Sequence, residues 1–232
     1  MQRVRLRTCC TSEARKPLVG PSLCSAVVET IAAQSIGTKF VLDAAALGRI
    51  REILVAGGLV VHPTDTVYGL AADPFRLDAV EKLYAAKSRP RDLPVSMSLA
   101  GVPEVFRFGK KTPIAEAFCA KNLPGPYTVV LQATPDAPKP LLSKDVRIGL
   151  RVPAHPIPRL LAKAFGPITS TSANRHGQPA PGTCEDAQGQ LGDRVDLYVD
   201  GGPTPLGAES TVVDLSGSRA RILRQGPIRP EA

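Results

Sequence analysis

Apolar and polar positions alternate with two different periods along most of this chain, and the switches between them outline a mixed α/β architecture. After Asp43, which can cap a helix, Leu47, Ile50 and Leu54 recur at helical spacing until Gly57 and Gly58 end the run. A short apolar strand follows at residues 59–61 and leads into a loop crowded with polar side chains, Pro63-Thr64-Asp65-Thr66-Val67-Tyr68-Gly69. A second helix is predicted from Asp78, with Val80, Leu83, Tyr84 and Lys87 along one side, stopping before Pro90. Val95, Met97 and Leu99 alternate with Ser96 and Ser98, as in a half-buried strand. Thr112-Pro113 reads as a helix start and Leu123-Pro124-Gly125-Pro126 as a rigid turn before a strand at 127–131. The proline-rich stretch 134–144 predicts an exposed loop.

The next strand carries a sharper pattern. Val146, Ile148, Leu150 and Val152 point one way, and Arg147, Gly149 and Arg151 the other, which sets the two arginines about 13 Å apart on one surface. Such a face can floor an anion-binding cleft, with Gly149 leaving room for a ligand, or it can be an ordinary solvent face. Pro156–Phe165 predicts a helix with Ile157, Leu160, Leu161, Ala164 and Phe165 as its stripe. The run Ile168-Thr169-Ser170-Thr171-Ser172-Ala173-Asn174 is poor core material, but its side chains suit phosphate, ribose or amino-acid contacts. A Gly/Pro-rich loop at 177–182, strands at 195–199, 211–215 and 221–224, and a turn at 216–218 complete the pattern. No internal repeat interrupts it, so a single domain with a mixed parallel and antiparallel sheet is expected.

Residues 1–38 show no sustained periodicity. They are expected to be a disordered or targeting extension, with the folded, catalytic part running from 39 to 232. The formal charge of +8 is split unevenly: residues 1–40 hold six basic and two acidic groups, leaving 23 basic against 19 acidic for the rest. That mildly basic body fits an anionic small molecule or a transient tRNA contact better than a dedicated duplex binder. The five cysteines, without CxxC pairs, give neither a disulfide framework nor a zinc site, and no apolar run approaches a membrane span. Phosphate-loop, dinucleotide-binding, nucleophile-elbow and HExxH motifs are all missing. His62, His155 and His176 show no metal-ligand spacing. What remains is rich in Lys, Arg, Ser and Thr, and suits catalysis by positioning and charge stabilisation.

Six motifs in order resemble the YrdC/TsaC family of threonylcarbamoyl-AMP synthases: Pro63-Thr64-Asp65-Thr66-Val67-Tyr68-Gly69-Leu70, Lys87-Ser88-Arg89-Pro90, Pro124-Gly125-Pro126-Tyr127-Thr128, Gly149-Leu150-Arg151-Val152-Pro153, Ser172-Ala173-Asn174 and Glu209-Ser210-Thr211-Val212-Val213-Asp214. The resemblance covers residues from about 40 to 228. It implies a twisted mixed sheet with flanking helices and a concave basic cleft. It implies a nucleotidyltransferase that turns L-threonine, bicarbonate and ATP into threonylcarbamoyl-adenylate and pyrophosphate. That product serves N6-threonylcarbamoylation of adenosine 37 in ANN-decoding tRNAs, through a downstream threonylcarbamoyl-transferase complex.

By motif match, Lys87 and Arg89 would hold the ATP phosphates and act in catalysis, with Mg2+ accompanying the nucleotide and no metal site in the protein itself. Arg147, Ser172, Asn174 and Arg224 would contact ATP. Thr66, Ser98, Arg151, Ser210 and, through its backbone, Ser170 would contact L-threonine. The chain departs from the family at Leu93, at Ser98 where some relatives have histidine, at Arg175-His176 and at Gln225. A cytoplasmic location is expected, or a mitochondrial one if residues 1–38 act as a transit peptide. The competing readings are a non-catalytic tRNA or double-stranded-RNA-binding module of the same fold, and a carbamoyl-adenylate domain like that of HypF proteins.

Overall fold

The computed structural model describes residues 28–36 and 39–230. In chain order the elements are β1 (Glu29–Ala32), β2 (Gln34–Ile36), β3 (Lys39–Val41), α1 (Ala44–Val55), β4 (Val60–His62), β5 (Gly69–Ala71), α2 (Leu77–Lys87), β6 (Ser96–Ser98), α3 (Val102–Phe108), α4 (Pro113–Asn122), β7 (Tyr127–Gln132), β8 (Arg147–Arg151), α5 (Pro156–Phe165), β9 (Ile168–Ser172), α6 (Cys184–Leu191), β10 (Leu197–Asp200), β11 (Thr211–Asp214) and β12 (Arg221–Arg224). Short polar residues fix several helix starts. Asp43 accepts from the Ala46 amide at 2.7 Å, Thr112 from Ala115 at 3.2 Å and Thr183 from Asp186 at 3.1 Å.

Ten strands form one sheet in the order β1-β10-β4-β5-β9-β6-β8-β7-β11-β12, and β2 and β3 form a separate hairpin. Pairing is parallel for β1/β10, β10/β4, β6/β8 and β7/β11 and antiparallel elsewhere. The expected mixed open sheet is therefore what the chain builds.

Strand alternation sorts the core into two layers. On one face, α1 and α5 bring Ile50, Leu54, Ile157 and Leu161 against Val60, Ala71, Ile168, Leu197 and Val199. On the other, Val80, Leu83, Val105 and Ala187 of the remaining helices pack with Val61, Leu70, Met97, Leu131, Ile148 and Leu150. The strand residues of the first cluster all come from β10, β4, β5 and β9. On β6, β8, β7 and β11 that same face carries polar side chains, and there the sheet opens into a pocket.

Four sequence expectations change. The extension was expected to reach residue 38, yet β1 pairs with β10 through Glu29↔Leu197 to Ala32↔Asp200, and β2 pairs with β3. Four residues were too short a run to show a period; residues 1–27 lie outside those described. The loop 134–144 is not wholly exposed, since Ala137 and Leu141 are buried. Val146 does not face the core: it takes a positive φ of 56° and is half-exposed just before β8 begins. The helices α3 and α6 gave no usable sequence period. In α6, only Cys184, Ala187 and Leu191 are buried, in an otherwise polar segment. No helix among the described residues is long and apolar enough to cross a membrane.

Because β1 covers the edge of β10, a chain starting at residue 39, which also lacks β2, should melt about 2–8 °C below one starting at residue 28, for a loss of about 1–2 kcal/mol. Thermal unfolding followed by circular dichroism checks this, and equal midpoints would mean that β1 contributes nothing.

Candidate functional site

The pocket on the open half of the sheet has a volume of about 420 Å³. β8 lays Arg147, Gly149 and Arg151 along its floor, as their alternation predicted. β9 supplies Ser170 and Ser172, β6 supplies Ser96, β7 supplies Thr128, and the β11 entry supplies Glu209 and Ser210. Arg89 closes one side and Arg224 of β12 another. Gly149 lines the floor as expected, but a Cβ there would also lie 2.6 Å from Ser96 Oγ, so the glycine makes room for the neighbouring strand as well.

Most of these arginines already face a carboxylate. Arg147 donates to Asp214 at 3.1 Å and Asp145 at 2.6 Å, and Arg224 donates to Glu209 at 2.7 Å. Burial pushes the Asp214 carboxyl up, but hydrogen bonds from Ser216, with Arg221 and Arg147, bring it below the usual carboxylate range. Arg89 differs: its bonds run to the carbonyls of Leu93 and Pro94, both at 3.2 Å. Its charge therefore stands without an acidic partner among the described residues.

Arg151 is the buried anchor. Its guanidinium donates to Asp65 at 2.5 Å and to Thr66 Oγ1 at 2.7 Å, while Asp65 also accepts from the Ala154 amide at 3.2 Å. Burial works against the Arg151 charge and Asp65 works for it. The Nε of Arg151 and the hydroxyl of its strand neighbour Ser98 are both buried without a partner. Arg151 lines the pocket and Ser98 lies behind it, so these two unsatisfied groups mark its most enclosed end.

The loop that delivers Asp65 and Thr66 is pinned from several sides. Thr64 Oγ1 bonds to Val67 O at 2.6 Å and to Thr66 Oγ1 at 3.0 Å. Tyr68, wholly buried, donates to Gly202 O at 2.7 Å and its hydroxyl pKa is raised by burial. His62 and His155 flank the loop as neutral rings, each pushed down to about 4 chiefly by burial. His155 Nδ1 accepts from the Ile157 amide at 3.2 Å and so caps α5, the structural role expected of it.

The structure thus gathers Arg89, Arg147, Arg151, Ser170, Ser172, Ser210 and Arg224 around one pocket and sets Lys87, Thr66, Ser98 and Asn174 behind its walls. Lys87 is 1% exposed. Its ammonium donates to the carbonyls of Ser172 and, at 2.8 Å, Asn174, and to Asn174 Oδ1 at 3.3 Å. Burial, then Arg89, push it down to about 7, while Glu209 pulls it up. Three acceptors for three ammonium protons also favour the charged form. This burial keeps Lys87 out of the pocket lining, where direct contact with the ATP phosphates was expected of it. Thr66 and Asn174 reach the pocket through Arg151 and Lys87 respectively. No local signal announced the pairing of Asp65 with Arg151. Glu209 lay inside a quoted motif without a role of its own.

Residues 52–226 match the Sua5/YciO/YrdC family model, whose description reads "Telomere recombination". A Mycobacterium tuberculosis protein, provisionally named a threonylcarbamoyl-AMP synthase, is 40% identical over 177 residues, spanning 76% of this chain and 82% of its own length. Bacillus subtilis threonylcarbamoyl-AMP synthase is 36% identical over 194 residues, 82% of this chain and 54% of that protein. Among solved structures, P. abyssi Sua5 complexed with L-threonine superposes with a TM-score of 0.78 at 29% identity, covering 86% of this chain and 57% of the other. The chain thus spans a little over half the length of the last two.

Two outcomes follow from the buried groups. Asp65→Ala leaves Arg151 buried and unpaired and should cost about 3–5 kcal/mol in urea unfolding, most of which the double variant with Arg151→Met should restore. Both histidines bind protons more weakly in the folded chain than at their ordinary value of 6.5. Stability is therefore full above about pH 6.5 and falls towards pH 4, by about 1.4 kcal/mol per pH unit for each ring. Urea midpoints at a series of pH values check the slope, and Tyr or Phe at position 62 should flatten it.

Proposed function

The chain belongs to the Sua5/YciO/YrdC family, and from that premise we propose that it is an L-threonylcarbamoyladenylate synthase, a nucleotidyltransferase making threonylcarbamoyl-AMP and pyrophosphate from L-threonine, bicarbonate and ATP. The product would serve N6-threonylcarbamoylation of adenosine 37 in ANN-decoding tRNAs, handed to a downstream transferase complex with at most a transient tRNA contact. The observation that carries this reading is the convergence of four arginines and a row of hydroxyls on one pocket of about 420 Å³, with no histidine or cysteine among the lining residues. Such a set binds anions and stabilises charge without forming a covalent bond to the protein.

The chemistry assigns the two ends. At the closed end, Arg151, held by Asp65 and Thr66, would take the threonine carboxylate, with the Ser98 hydroxyl beside it. Ser210, hydrogen-bonded to Thr128 at 2.9 Å, would contact the amino acid from the facing wall. The threonine nitrogen then lies towards the open end, where it joins the bicarbonate carbon and water leaves. A carbamate oxygen attacks the α-phosphorus and the bond to pyrophosphate breaks. Arg89 and Arg147 would neutralise the charge that develops on the departing pyrophosphate, as preorganised donors aimed at a leaving group do. Lys87 would act by holding the Ser172–Asn174 backbone against the nucleotide. The described residues gather no cluster of three His, Cys, Asp or Glu side chains that could hold a metal. Mg2+ is accordingly proposed as a passenger on the ATP phosphates, screening their charge. A cytoplasmic site of action is proposed; the mitochondrial alternative now rests on residues ahead of β1.

ATP-dependent pyrophosphate release should require both threonine and bicarbonate, and labelled bicarbonate should appear in the product by mass spectrometry. No release would leave the non-catalytic RNA-binding reading. Arg151→Lys keeps a charge for Asp65 but loses the planar fork. It should raise the KM for threonine about 10-fold or more and that for ATP less than about 2-fold; equal effects would contradict the assignment of the closed end.

A further inference from the structure

Glu209 is the one acidic side chain among the residues that line the pocket. In a cleft meant for a polyanion, a carboxylate is out of place unless it holds something. Its two oxygens point to opposite walls: Oε1 accepts from Ser172 Oγ of β9 at 3.3 Å, and Oε2 accepts from Arg224 Nη1 of β12 at 2.7 Å. Arg224 is tied down further, donating from Nε and Nη2 to Ser210 O at 3.1 and 3.0 Å. Behind Ser172 stands Lys87, whose ammonium donates to the Ser172 carbonyl. A continuous path of contacts therefore runs Lys87, Ser172, Glu209, Arg224 across the pocket.

The backbone around Glu209 is built to hold it there. Gly226, just after β12, passes so close that a Cβ would lie 2.5 Å from Glu209 O and Thr211 N. The Gly226 amide donates to Thr211 Oγ1 at 3.0 Å, and Thr211 Oγ1 donates to Ile228 O at 2.7 Å. Only glycine permits this crossing, which clamps the β11 entry under the segment that follows β12.

We propose that Glu209 is a positioning residue for the nucleotide end of the pocket, bracing Ser172 on one wall against Arg224 on the other. The inference rests on the function proposed above and adds a residue to it. Among the described residues, the charged groups acting on Lys87 are Arg89, which disfavours its charge, and Glu209, which favours it. Removing the Glu209 charge leaves Arg89 unopposed, so Lys87 would lose its proton at a lower pH.

Glu209→Gln retains an amide of the same shape but no charge. With the full chain, pyrophosphate release is measured from about pH 6 to about pH 9, varying ATP and threonine separately. The variant should raise the KM for ATP about 5-fold or more with threonine changed less than about 2-fold, and the alkaline limb of the profile should move to lower pH by about half a unit. A purely structural role would not move that limb. NMR titration of the Lys87 side chain, assigned by its loss in Lys87→Arg, reads the same coupling without turnover. Equal changes in both KM values, or an unmoved Lys87 titration, would overturn the proposal. Should the wild-type chain release no pyrophosphate, the catalytic reading fails by itself, while the titration and direct ATP binding still decide the role of Glu209.

Discussion

The site depends first on one buried ion pair. Arg151 ends β8 and Asp65 sits in the loop after β4, on strands that are not neighbours in the sheet, and their 2.5 Å contact joins those two parts of the fold. A buried pair of this kind is weak as a source of stability, because two charges must leave water to make it. Its value lies in direction. With Thr66 and Asp65 both engaged, the guanidinium has one orientation, and its remaining Nε is buried without a partner beside the Ser98 hydroxyl. An unsatisfied donor kept in a closed end is a standing preference for a ligand that can accept from it.

The second constraint is the uneven covering of the sheet. Where α1 and α5 pack, the inward face is Val, Ile, Leu and Ala; beyond β9 the same face turns to Ser, Thr and Arg and is left open. The change occurs within β9 itself, which is buried at Ile168 and Thr169 and partly exposed from Ser170 to Ser172. One sheet thus serves as core at one end and as pocket floor at the other, with Arg89, Glu209 and Ser210 added from the segments beside the strands. Rigid strands hold donors within the tolerance that charge stabilisation requires.

Much of this was legible because its signals are local. The arginines of β8 fall on one face because strand period is two, and Ile148 and Leu150 on the other face are buried as the pattern required. Asp43, Thr112 and the stripe of α5 were equally direct. Four-residue β1 was missed because parallel pairing with β10 leaves no turn signal and too few residues for a period. α6 was missed because its cap, Thr183, precedes a mostly polar segment. Lys87 was expected to hold the ATP phosphates, and nothing near it in sequence shows that the carbonyls of Ser172 and Asn174, over eighty residues away, enclose its ammonium. Gly149 was placed on the pocket floor by its alternation, but that it also clears space for Ser96 depends on which strand lies next to it.

The charge pattern of the pocket bears on how it would work. Four arginines around about 420 Å³ repel one another, and an empty site of that kind would be strained by its own field. Asp65, Asp214 and Glu209 relieve that strain by pairing with Arg151, Arg147 and Arg224 respectively, Asp214 also holding Arg221. An arriving polyanion therefore meets cations that are already oriented but partly neutralised, so ground-state attraction is restrained while the directional donors remain. Arg89, held only by two carbonyls, keeps its full charge and is the natural first contact for a phosphate chain. For a reaction that must release a highly charged pyrophosphate, such restraint is useful. Donors fixed by neighbouring carboxylates can stabilise charge as it develops without holding the product too tightly to leave.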